Sequence, residues 1–260
     1  MCLLVFAWMK HPRYRLVVAA NRDEFHDRPA APLGWWTDND RMLAGRDLRA
    51  GGTWIGVTQG GRFGAVTNFR GVEAPPVADA PSRGGLVPDY LAGEATPGGF
   101  LEKVNGAATA FAGFNLLAGD RESLHYLSNR DAASPRRLEP GSYGLGNHAL
   151  DTPWPRLVRA RRRFDDVLVG GEPGLDELFE ILADREPAIG ADLPGSGLPP
   201  EMELAMSAPF VLHERYGTRC STVLLAGYDD RTVAAERRFD AAGNLTGATR
   251  HEFAVDARGA

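Results

Sequence analysis

Cys2-Leu3-Leu4-Val5-Phe6-Ala7-Trp8, a break at His11-Pro12-Arg13-Tyr14, and then Arg15-Leu16-Val17-Val18-Ala19-Ala20 open the chain. Both apolar runs are too short for buried helices, and Pro12 bars a helix through the break. They read as two core strands joined in a hairpin. A second hairpin follows: residues 51–57 and 62–67 flank Gln59-Gly60-Gly61, where glycine supplies a positive φ at the turn. Further strands are expected at 110–118, 123–128, 221–228 and 231–239, the last two turning at Asp229-Asp230. Helical periodicity covers about 82–93, 98–105, 155–169 and 174–184. In 155–169, Leu157, Ala160, Phe164, Val167 and Leu168 share one face, with Thr152 or Asp151 as cap and Pro155 early in the helix. The stretch 186–200, rich in Pro and Gly, reads as an irregular loop. Hairpins first, helices grouped in the middle and strands returning make an α+β chain. With no repeat and no composition break, residues 1–260 are expected to form a single domain.

Composition narrows the function classes. The 260 residues are 43% hydrophobic and 24% charged, with a net charge of −5, ordinary for a globular protein. An acidic whole argues against nucleic acid as partner, and the basic run Arg159, Arg161-Arg162-Arg163 falls on a helical pattern, where a solvated face accounts for it. Two cysteines, Cys2 and Cys220, make no disulfide framework in a chain this long. The apolar start is too short to span a bilayer, and Lys10, Arg13 and Arg15 follow it, the reverse of a secretory signal. A cytoplasmic chain with no integral membrane segment is the expectation. Six scattered histidines offer no metal-ligand spacing, so no metal is expected.

The most informative single residue is Cys2. Removal of Met1 would place its α-amine, with a pKa of roughly 7.7–8.0, beside a thiol of about 8.5, so that one residue carries nucleophile and base. Four polar clusters interrupt apolar segments and supply what such a nucleophile needs: Asn21-Arg22-Asp23-Glu24, Thr67-Asn68-Phe69-Arg70, Tyr143-Gly144-Leu145-Gly146-Asn147-His148, and Gly217-Thr218-Arg219-Cys220. Asp23 can orient the amine. The amides of Asn68 and Asn147 can hold a tetrahedral oxyanion. Arg22 or Arg219 can lower the thiol pKa. Taken singly, each cluster is equally well a turn or a strand end. Trp35, Trp36 and Trp54 are candidates either for an apolar substrate pocket or for core packing.

The ordered motifs Ala19-Ala20-Asn21-Arg22-Asp23-Glu24, Arg28-Pro29, Gly45-Arg46-Asp47, Gly51-Gly52-Thr53-Trp54, Thr67-Asn68-Phe69-Arg70, Ser82-Arg83-Gly84, Gly113-Phe114-Asn115-Leu116, Gly144-Leu145-Gly146-Asn147, Leu150-Asp151-Thr152-Pro153-Trp154-Pro155 and Tyr216-Gly217-Thr218-Arg219 resemble the NRDE family, transport and Golgi organisation protein 2-like. The resemblance runs from residue 2 to about 225. It implies an N-terminal nucleophile hydrolase fold, a four-layer αββα sandwich of two antiparallel sheets, near the choloylglycine hydrolases and penicillin acylases. It also implies that Cys2, Asp23, Asn68, Asn147 and Arg219 fill the catalytic roles. The hydrolases space their Arg and Asp as Arg-x-x-Asp, whereas Arg22 and Asp23 are adjacent here. Neighbours in a strand face opposite ways, so only one of the two can share a face with Cys2.

Two functions are consistent with this reading. The first is an amidohydrolase that uses Cys2 on a small linear amide or acyl substrate and requires no cofactor. The second is a non-catalytic trafficking protein on the same fold that binds haem or a lipid-like acyl compound. Family members in eukaryotes are linked to membrane trafficking, lipid metabolism and haem transfer. His148 is the axial candidate if haem is bound.

Overall fold

The computed structural model of the chain describes residues 2–70, 80–188, 193 and 199–256. Two compact units divide it. One takes the residues up to Asp27, Pro140–Gly146 and Leu150–Glu252; the other takes Arg28–Glu139, Asn147–Ala149 and the residues from Phe253 onward. Each unit draws on segments far apart in sequence, which is why no composition break marks a boundary between them.

The first unit is built on a six-stranded antiparallel sheet. Its strands are β1 (Cys2–Trp8), β2 (Tyr14–Phe25), β10 (Gly141–Leu145), β11 (Tyr216–Gly227), β12 (Arg231–Phe239) and β13 (Leu245–Ala254), in the spatial order β10-β1-β2-β11-β12-β13. The opening hairpin is present, with Cys2 opposite Arg22 and Trp8 opposite Leu16. One face of the sheet, with Leu3, Val5, Ala7, Val17, Ala19, Val223 and Leu225, is buried against α3 (Pro155–Gly170) and α4 (Leu175–Leu182). Helix α3 contributes the face expected of it, Leu157, Ala160, Phe164 and Leu168, with Val167 at its border. The short α5 (Pro200–Ala205) completes the unit.

The second unit holds a seven-stranded antiparallel sheet of consecutive neighbours: β3 (Ala30–Trp35), β4 (Met42–Asp47), β5 (Ile55–Thr58), β6 (Phe63–Asn68), β7 (Phe114–Gly119), β8 (Leu124–Ser128) and β9 (Arg136–Arg137). Helices α1 (Leu86–Ala92) and α2 (Pro97–Gly106) pack Leu86, Val87, Tyr90, Leu91, Phe100, Leu101 and Val104 against Met42, Ala44, Val66, Leu116 and Ala118. Gly61 takes φ +83° in the β5–β6 turn, as the hairpin motif requires. At Gly52 a Cβ would lie 2.2 Å from Gly84 O, so Gly51-Gly52-Thr53-Trp54 and Ser82-Arg83-Gly84 are matched by direct backbone contact, with Thr53 N–H donating to Gly84 O.

The α+β class and the two antiparallel sheets agree with the sequence reading; several local readings need correction. Strands β3, β4, β10 and β13 were not anticipated, because each mixes Gly, Pro or charged residues into its run. The expected turn around Gly144 is strand up to Leu145. Neither Thr152 nor Asp151 caps α3. Trp154 holds that position without a side-chain capping bond, while the Asp151 carboxylate accepts from Gly144 N at 2.7 Å and pairs with Arg161. Arg159 and Arg163 pair with Asp184 on the exposed side of α3. Trp36 belongs to the core, its ring covered by Arg46 and its indole N–H donating to Ala44 O. Most of 186–200 lies outside the described residues.

Candidate active site

The register of β1, β2 and β11 decides which side chains can meet Cys2. Residues opposite each other in an antiparallel pair lie on the same face, and neighbours along a strand alternate. Cys2 faces Arg22, and Arg22 in turn faces Cys220, so one row across three strands reads Cys2, Arg22, Cys220. Glu24, two residues on, shares that face, and its carboxylate lies 4.0 Å from the Arg22 guanidinium. Asn21 and Asp23 therefore point the other way, toward α3 and α4.

Their contacts show it. Asp23 Oδ2 accepts from Arg156 Nη2 at 2.6 Å and Oδ1 from the Thr218 hydroxyl at 2.7 Å, while the Tyr216 hydroxyl donates to Asp23 O. The ion pair is almost fully enclosed, with side-chain exposures of 4% for Arg156 and 0% for Asp23. Asn21 Nδ2 donates to Leu182 O and Pro209 O, and its Oδ1 accepts from Ser221. The tetrad thus divides by strand alternation. Asn21 and Asp23 fasten the sheet to its helices, and Arg22 and Glu24 accompany the thiol. Asp23 is thus engaged by Arg156 and Thr218 on the helix side of the sheet, while its charge still reaches the Cys2 thiol. Glu24 is the acid on that face, and the alternation Arg22-x-Glu24 would have identified it once the hairpin register was known.

Burial pushes the Cys2 thiol up from its ordinary pKa; the charges of Asp23 and Glu24 add to this and Arg22 opposes it. The residue keeps partial solvent exposure. Cys220 is buried and its thiol is pushed up much further, chiefly by burial and by the Glu236 charge, to which it also hydrogen-bonds. The two residues lie two strands apart with Arg22 between them, beyond disulfide reach. Arg219 sits at the bulge between Thr218 and Cys220, and its Nη1 donates to Phe25 O and His26 O, both at 2.9 Å. Burial lowers its pKa, and the neighbouring charge of Arg22 adds to this. Of the two expected arginines, Arg22 stands in the Cys2 row, and its charge opposes the rise of the thiol pKa.

The two asparagines lie together in the second unit. Asn147, buried, donates from Nδ2 to Asn68 O at 2.7 Å, and its own carbonyl accepts from Arg70 N at 2.7 Å. Asn115, missed by the sequence reading, holds this segment from below: its Nδ2 donates to Thr67 Oγ1 and His148 O, and its Oδ1 accepts from the Tyr126 hydroxyl. The His148 ring lies on Phe69 with centroids 4.8 Å apart. Among the described residues no group of three or more His, Cys, Asp or Glu side chains could hold a metal ion, and no helix is long and apolar enough to cross a membrane.

Chemically, the row gives a thiol whose pKa burial raises, a cation beside it and an acid beside the cation. Comparison with known proteins shows the family and the fold. The family model described as Transport and Golgi organisation 2 matches residues 1–241. The Transport and Golgi organization 2 homolog of Mus musculus is 31% identical over 261 residues, covering 91% of this chain and 92% of its own. The Homo sapiens protein is 33% identical over 267 residues, with the same coverage. Among solved structures, penicillin V acylase from Agrobacterium tumefaciens superposes with a TM-score of 0.51 at 12% identity, covering 95% of this chain and 90% of that one.

Proposed function

Because this chain belongs to the Transport and Golgi organisation 2 family and folds like an amidohydrolase, we propose that it is an amidohydrolase with Cys2 as nucleophile, acting on small linear amide or acyl compounds. The observation that carries the proposal is the row Cys2–Arg22–Glu24 on one sheet face. In this reading Met1 is removed and the Cys2 α-amine accepts the thiol proton. The thiolate forms a C–S bond to the amide carbon and gives a tetrahedral oxyanion. Collapse breaks the C–N bond, the α-ammonium returns its proton to the departing amine, and water then hydrolyses the thioester. Arg22 favours the thiolate and Glu24 holds Arg22.

Burial pushes the Cys2 thiol up, so this reading requires a proton acceptor beside it, which the α-amine freed by removal of Met1 supplies. The test is intact-protein and peptide mass spectrometry after exposure to a neutral activated acyl ester. Mature protein beginning at Cys2 should carry one acyl group on that residue, and Cys2→Ala should carry none. A chain that retains Met1, takes no acyl group and loses nothing in Cys2→Ala would overturn the proposal in favour of non-catalytic binding of haem or an acyl compound.

A further inference from the structure

Thr67-Asn68-Phe69-Arg70 ends in a cation that the proposed chemistry does not use. The Arg70 backbone N–H donates to Asn147 O at 2.7 Å, which places the residue beside the Asn68–Asn147 pair. Other arginines of this unit have clear partners. Arg28 pairs with Asp47, Arg46 clamps Asp38 through two bonds, and Arg62 donates to Tyr90 O and Ala95 O. The Arg70 guanidinium has no such partner among the described residues, and its Nη1 is sealed from solvent without a hydrogen bond. Burial lowers its pKa, with no carboxylate to offset that. A sequestered donor with no acceptor is costly, and folds keep few of them.

Two further arginines lie at the neighbouring backbone crossing, that of Phe69 with Gly113. Phe69 N–H and Arg83 Nη1 donate to one oxygen, Gly113 O, each at 2.9 Å. Arg130 Nε lies 3.5 Å from where a Cβ on Gly113 would sit, and Phe69 Cβ lies 3.1 Å from that point. The planar guanidinium fork matches the oxygens of a carboxylate or phosphate.

We propose that Arg70 binds an anionic oxygen-bearing group, a carboxylate or a phosphate, next to Asn68 and Asn147. The anion site is tested independently of the hydrolase reading. Titration calorimetry of the full chain with inorganic phosphate and, separately, with succinate identifies which oxyanion is held. Arg70→Met should weaken binding of that anion at least tenfold, Arg70→Lys should retain part of it, and Arg70→Gln serves if Arg70→Met does not fold. In anion-free buffer the melting temperature of Arg70→Met should equal or exceed that of the unmodified chain, because a half-buried guanidinium with an unpartnered Nη1 is gone. Absence of binding by the unmodified chain overturns the inference, and so does unchanged binding or a lowered melting temperature in Arg70→Met. Arg70-dependent anion binding in a protein whose Cys2 accepts no neutral acyl probe supports the anion site and overturns the hydrolase reading alone.

Discussion

Asp23→Ala separates a structural role for Asp23 from a catalytic one. Its carboxylate is the counter-charge of Arg156, which is itself 4% exposed, and it also accepts the Thr218 hydroxyl. Removing one partner of an enclosed ion pair strands the other charge, a loss of about 3–5 kcal/mol. At about 2 °C per kcal/mol for a chain of this size, the melting temperature should fall by about 6–10 °C. Asp23→Leu combined with Arg156→Met removes both charges and should recover most of that loss, since apolar replacements of buried pairs are often neutral. The assay is thermal unfolding by circular dichroism of each single variant and of the double variant, with Cys2 acylation measured on the same preparations below the transition. The folded fraction of the double variant should still acylate. If Asp23→Ala melts within about 1 °C of the unmodified chain and loses acylation, Asp23 acts on the Cys2 side of the sheet and the face assignment is refuted.

Two more outcomes follow from the charges around the thiols. Arg22→Gln should slow alkylation of Cys2 by iodoacetamide at pH 8 by on the order of tenfold, and Glu24→Gln should speed it, because the first charge lowers the thiol pKa and the second raises it. Changes of the same sign in both variants would show that the row does not control the thiol. The thiols also set an alkaline limit. Cys2 and Cys220 are pushed up in the folded chain, above all by burial, whereas an unfolded thiol ionises near pH 8.5. Their contribution is intact below that pH and is lost as pH rises, at about 1.4 kcal/mol per pH unit for each thiol still protonated. Urea midpoints at pH 7.5, 9 and 10 should therefore decline, and Cys220→Ala should flatten the decline. A flat profile in the unmodified chain would contradict the burial assigned to Cys220.

The opening hairpin was legible because apolar runs broken by Pro12 have one local solution, and the face of α3 was legible from the spacing of Leu157, Ala160, Phe164 and Leu168. Strands such as β3 and β4 were not, because Pro32, Gly34 and Arg46 interrupt the alternation that marks a strand. Cys2, Arg22 and the Asn68–Asn147 pair were named from residue chemistry and the order of the motifs. Asn115 and Arg156 were missed for a common reason. Each acts through a partner far away in sequence, Asn115 on His148 O and Arg156 on Asp23, and no local pattern encodes such a pairing.

The sequence by itself determined the reaction class worth testing: a cysteine at position 2 and polar clusters placed where core strands end are local, chemical facts. Tertiary structure alone decided which residues of Asn21-Arg22-Asp23-Glu24 share a sheet face with Cys2. A strand shows alternate side chains to opposite faces, and which face carries the thiol depends on the register with which β1 and β11 bracket β2. One residue of slip would have exchanged the two pairs. With Cys2 opposite Arg22, Asp23 is committed to Arg156 beneath the sheet, and Glu24 stands with the thiol.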